Sequence, residues 1–268
     1  METVRAIVPR TRRLLVVLIG CLGALIAGYF ARLWILATPE QVLQAARADD
    51  WARVRWISLI RPRSVPAARD LVEGTTPLLL AAEEGNGEMV RFLVRKGVDV
   101  RQSDGAGVTP LQAATASGKL DLVKYFIAHG ARLDEMDLLG RGALHVAAAK
   151  DHSEIAEFLL RQGANPNLLH HWPGKCPTYD TPLTCAVRWR SYTTVKLLLK
   201  YGADPNAPDN DGELPLEIAI GNWVMMDVLL QRGANPNAKL RADETLLQAT
   251  KSQADRMMQL LREHGAKE

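Results

Sequence analysis

TPLTCAVRWRSYTTVKLLLKYGADPN, residues 181–206, is a self-contained unit of turn, short helix, second helix and turn. Thr181-Pro182-Leu183 opens the first helix, with proline at an early position where its missing N–H costs no hydrogen bond. Val195, Leu197, Leu198 and Leu199 give the second helix an apolar side. Gly202 follows the last helical residue, where chains commonly turn through a left-handed conformation.

The unit recurs. Leu78, Leu111, Leu144, Leu183 and Leu216 hold the same place in successive copies, spaced 33, 33, 39 and 33 residues apart. Thr76-Pro77-Leu78 and Thr109-Pro110-Leu111 open earlier copies, and Gly97, Gly130, Gly163, Gly202 and Gly233 close five of them. The exits read GARLD from Gly130, GANPN from Gly163 and Gly233, and GADPN from Gly202. A 33-residue period with this turn and two helices resembles the ankyrin repeat, over about residues 40–268.

The resemblance implies an all-α solenoid: helix-turn-helix repeats with short β-hairpin loops, each stacked on its neighbours. Regular copies fall at about 74–104, 107–137, 140–168, 180–207 and 212–238. Residues 39–65 read as a diverged cap repeat. There Leu43-Gln44-Ala45-Ala46 matches Leu111-Gln112-Ala113-Ala114, Val54, Trp56 and Leu59 supply an apolar side, and Pro62 stands where the closing glycine would fall. The whole repeat domain runs over 39–268 and ends in a C-terminal cap at 243–267, with polar Arg262, Glu263 and His264. In the third copy Gly142-Ala143 replaces Thr-Pro. The fifth copy is short: Leu216 to Gly233 is 17 residues where the others have 19, so its helix pair must be trimmed.

The 47% hydrophobic fraction supplies a continuous core, and nothing in the composition suggests disorder. The net charge of +3 is local. Residues 1–13 hold Arg5, Arg10, Arg12 and Arg13 against Glu2, and the remaining 29 basic and 29 acidic residues cancel. The basic excess therefore carries no argument for nucleic acid.

Residues 1–13 read as a basic cytoplasmic tail and 14–37 as a transmembrane signal-anchor helix, built on the uncharged run Leu14 to Phe30. Tyr29 and Trp34 suit the interface, where Arg32 can snorkel. The run is long for a cleaved signal peptide. Leu18-Ile19-Gly20-Cys21 also fits a lipoprotein cleavage box, although the residues after Cys21 stay apolar. Four arginines before the span, against Arg32 and Arg47 just after it, put the N-terminus in the cytoplasm and the repeats outside it. The Ala-, Arg- and Leu-rich composition leans towards a GC-rich bacterial genome, in which that place is the periplasm. Gly20, Ala24 and Gly28 form a small-xxx-small face able to pair two anchors in a homodimer, or are simply small residues of a membrane helix.

The chain holds no GxSxG, no phosphate-cradling glycine loop and no HExxH. His145 falls where the ankyrin Thr-Pro-Leu-His tetrapeptide places its histidine, and the resemblance implies a structural hydrogen bond to backbone. No cofactor, no metal and no enzymatic activity are expected.

The insertion LLHHWPGKCPTYD, residues 168–180, enlarges a loop that is short in other copies. In ankyrin proteins these loop tips and the first helices line a concave groove. That geometry draws together Trp172 and Tyr179 of the loop, Arg188 and Trp189 at the end of the next helix, and Trp223 one repeat later. Trp, Tyr and Arg dominate interface hot spots. Equally, Trp172 can fold over its own loop with Trp189 beside it. Cys176 and Cys185 pair as a disulfide if the domain lies outside the cytoplasm, or remain two thiols. His170 and His171 with these cysteines match no familiar zinc spacing.

These readings together predict a non-catalytic, membrane-tethered protein-binding module. Two alternatives are an immunity-type inhibitor or protector of one secreted or periplasmic enzyme, and an enzyme using the 168–180 loop.

Overall fold

The structure is a computed structural model, which describes residues 37–60, 62–70, 72–169, 181–209, 211–239, 246–250 and 255–266. Four repeats begin where a threonine hydroxyl accepts the N–H three residues on: Thr38 from Gln41, Thr76 from Leu79, Thr109 from Gln112 and Thr181 from Thr184. Proline occupies the next position each time, so a short inner helix starts without an orphaned donor.

The cap repeat contributes α1 (Pro39–Arg47) and α2 (Trp51–Ile60). Then follow α3 (Pro77–Glu83) and α4 (Gly87–Arg95), α5 (Pro110–Ala116) and α6 (Leu120–Ala128), and α7 (Ala143–Lys150) and α8 (Ser153–Arg161). The fourth regular repeat gives α9 (Pro182–Arg188) and α10 (Tyr192–Lys200), and the fifth α11 (Pro215–Ile218) and α12 (Trp223–Gln231). The last pair is α13 (Leu246–Ala249) and α14 (Asp255–Glu263). Helices α1, α3, α5, α7, α9 and α11 pack on one another as an inner row, and α4, α6, α8 and α10 as an outer one.

Small residues bring the inner helices together: Ala81-Ala82, Ala113-Ala114, Ala147-Ala148 and Cys185-Ala186 are all buried. Pairs spaced by three, Val90/Leu93, Val123/Phe126, Ala156/Leu159 and Val195/Leu198, seal the outer helices onto them at zero exposure. In α2 the buried face is Trp51, Val54 and Ile57. The expected Trp56 and Leu59 point outwards instead, because burying Val54 and Ile57 turns them to solvent.

Gly202 closes its repeat at φ +91°, with nothing within 4 Å of where a Cβ would stand, so only its backbone conformation demands glycine. The exits then stitch repeat to repeat. Asn167 donates to the Gly202 carbonyl and accepts from the Asp204 N–H; Asn206 does the same with Gly233 and Asn235. Asn237 donates to Gly265, Asp134 accepts from the Asn165 N–H, and Arg101 donates to Gly130.

No strand forms among the described residues, and apart from a lone bridge residue at Lys239 the described loops expected as β-hairpins are turns instead. An aspartate braces three of the described ones. Asp104 Oδ1 accepts from Ala106 and Val108 N–H, Asp137 from Leu139 and Arg141, and Asp209 from Asp211 and Glu213. With its donors taken by these turns, the backbone forms only single links between loops: Gly105 N–H to the Glu73 carbonyl at 2.6 Å and Leu138 N–H to Ala106 at 2.8 Å. A Cβ on Gly105 would lie 2.8 Å from the Glu73 oxygen, so only glycine fits there.

The expected anchor, with Cys21 and the Gly20–Ala24–Gly28 face, lies outside the described residues up to Leu36. Ala37, included in that span, is fully buried in the solenoid core. Among the described residues no helix is long and apolar enough to cross a membrane.

Candidate functional site: a groove along the inner helices

Where an inner helix ends, the chain must reverse into the outer helix, and this turn leaves two residues facing away from the core. In successive repeats they are Glu83-Glu84, Ala116-Ser117, Ala149-Lys150 and Arg188-Trp189. Glu83, Ala116, Ala149, Lys150 and Trp189 share one concave groove of about 590 Å³.

Trp189 stands just beyond α9 and is 65% exposed, a large apolar surface that the fold itself does not cover. It is followed by Arg190 at φ +58°, a left-handed position occupied in other repeats by Gly85, Gly118, Asp151 and Gly221. Arginine there is strained, and the strain is borne directly beside the exposed ring.

Arg188 reaches the loop of the next repeat, where one guanidinium nitrogen lies 2.9 Å from Asp209 Oδ2 and 3.1 Å from Glu213 Oε2. Asp209 is buried, so this triad fixes the fold and holds Arg188 in place where it lines the groove.

His145 is 2% exposed, and its Nδ1 accepts the Gly142 N–H at 3.1 Å. The ring thus satisfies a helix-start donor in the repeat that lacks Thr-Pro. Gln112 does the same for Thr109 and also donates to the Arg141 carbonyl of the following repeat. Cys185, 8% exposed, lines the groove with its Sγ 3.7 Å from the His145 carbonyl oxygen.

At the first end of the groove partial burial, then the Asp104 and Glu84 carboxylates, push the Glu83 carboxyl above its ordinary value. Burial also raises Glu84, opposed by the Trp51 indole N–H that donates to it at 3.1 Å.

Trp223 is not in this groove. The two missing residues come out of α11, four residues long against seven in α9, which moves Trp223 to the first position of α12. It is 42% exposed on the outer side, beside Asp227, Leu260 and Glu263. Trp172 and Tyr179 lie outside the described residues, as do His170, His171 and Cys176 and hence any bridge to Cys185. Among the described residues no three His, Cys, Asp or Glu side chains are grouped to hold a metal ion.

The bracing aspartates are the structural feature that sequence reasoning passed over. Their signal is an aspartate three residues before a glycine, ahead of each helix start: Asp104/Gly107, Asp137/Gly140 and Asp209/Gly212.

A family model for ankyrin repeats (3 copies) matches residues 43–137, 78–170 and 144–240. The chain belongs to the ankyrin-repeat family, whose members generally mediate protein–protein interaction. No curated protein matches it.

Proposed function

We propose that this chain is a non-catalytic binding protein, tethered to the membrane by residues 14–36, that holds a partner protein in the groove beside Trp189. The observation that carries the reading is the 65% exposure of Trp189 on a groove wall that Arg188, Asp209 and Glu213 make rigid. A rigid surface loses little entropy on binding, and a tryptophan ring contributes large area with few rotors. The arginine excess before the apolar run supports repeats on the extracytoplasmic side, the periplasm if the source is bacterial.

Photo-crosslinking in the native cell tests the groove. Benzoylphenylalanine at Ala149, in the groove, is expected to give a discrete adduct with a second protein, while the same group at exposed Lys196 on α10 gives none. Trp189→Ala should weaken the interaction by about 2 kcal/mol and abolish the adduct. An adduct at Lys196 but not at Ala149 would sink the groove reading. A C-terminal alkaline phosphatase fusion, active only outside the cytoplasm, tests the topology; an inactive fusion in the membrane fraction overturns the orientation.

A further inference from the structure

The groove differs in charge from one end to the other. At the first end Glu83 stands with Glu84 and Asp104, and no ion pair joins any of the three to a described cation. A cation docked there would offset the partial burial, and the repulsion from Asp104 and Glu84, that raise the Glu83 carboxyl. Beyond this end the inner helices present the small apolar residues Ala113, Ala116, Val146 and Ala149.

At the far end most charges are matched inside the fold. Arg188 is held by Asp209 and Glu213, Arg141 by Asp137 at 2.8 Å, and Asp211 enters from the loop side. Lys150 remains: exposed, lining the groove, and in no ion pair with a described residue. Trp189 follows one repeat later.

Resting on the groove reading above, we propose that the occupant is an extended segment of a partner protein, with a cationic side chain on Glu83, a carboxylate on Lys150 and an apolar side chain on Trp189. Inner helices that pack about 8–10 Å apart put α3 and α7 roughly 16–20 Å apart. An extended chain advances about 3.3 Å per residue, so the two charges sit about five or six residues apart. A nucleic acid strand does not fit this pattern, because its phosphates would meet the carboxylates of the first end.

The test pans a displayed library of random 12-residue peptides on the full-length chain held in lipid nanodiscs. Enriched peptides are expected to carry a Lys or Arg about five or six residues from an Asp or Glu. Lys150→Glu should weaken a synthetic copy about ten-fold, and changing that peptide's carboxylate to lysine should restore binding to this variant. Lys150 and Trp189 are exposed, and thermal melts verify that both variants fold. Peptides without the charge spacing, indifferent to Lys150→Glu but lost on Trp189→Ala, overturn the charge pairing and leave the groove reading standing. Peptides indifferent to Trp189→Ala overturn both. A library that yields no binder overturns the extended segment, while the Ala149 adduct still decides the groove.

Discussion

Two residues on the groove rim trade stability for the surface they present. Arg190 holds a left-handed conformation that glycine adopts at the same place in three other repeats. Arg190→Gly is therefore expected to stabilise the fold by about 1 kcal/mol, read as a rise in urea midpoint, because the strain exceeds the entropy that glycine adds to the unfolded chain. Glu83 behaves in the opposite sense to a salt-bridged acid. Its folded carboxyl lies above the ordinary 4.5, so its favourable contribution is complete below that value and is lost as pH rises through the raised one. Glu83→Gln should raise Tm at pH 7, and the gain should vanish below 4.5; melts at the two pH values decide it. Of these local features the residue types were legible and their settings were not. Arg188 was visible as a basic residue at a helix end, but its partners Asp209 and Glu213 come from the next loop, beyond any helix-surface spacing.

At the scale of elements, the period of 33 residues carried the fold. Leucines, opening Thr-Pro pairs and closing glycines repeat together, and each maps onto a cap, a buried face or a turn. The fifth repeat shows where such reading ends. Counted forward from Leu216, Trp223 falls close to the place Trp189 holds; counted back from Gly233, it falls with Tyr192. A deletion of two residues allows either register. Packing chooses the second, because the outer helix must bury Met226 and Leu229 whereas the inner one can shorten to a single turn. The loops were misread for a related reason: a short link between two helices has the length of a hairpin, but the aspartate side chains take the backbone donors that a ladder would use. The outward Trp56 and Leu59 of α2 likewise follow from Trp51 and Ile57, which bury the face three residues apart from Val54.

For the whole molecule, stability is the sum of repeats and the contacts between them. The asparagine stitches belong to the second term. Asn206→Ala removes one bond donated to Gly233 and one accepted from Asn235, and should cost about 1 kcal/mol with little change inside either repeat. Urea unfolding followed by separate probes before and after residue 206 measures this: a common midpoint that simply falls fits a weakened joint, and an unchanged midpoint would deny the stitch any role.

The stitches also have a direction. Asn167, Asn206 and Asn237 each belong to the earlier repeat and grip the glycine carbonyl of the later one. During synthesis the gripping side chain leaves the ribosome first and stays hydrated on the surface until its partner emerges. At these three joints the newly made repeat thus meets a neighbour already equipped to receive it.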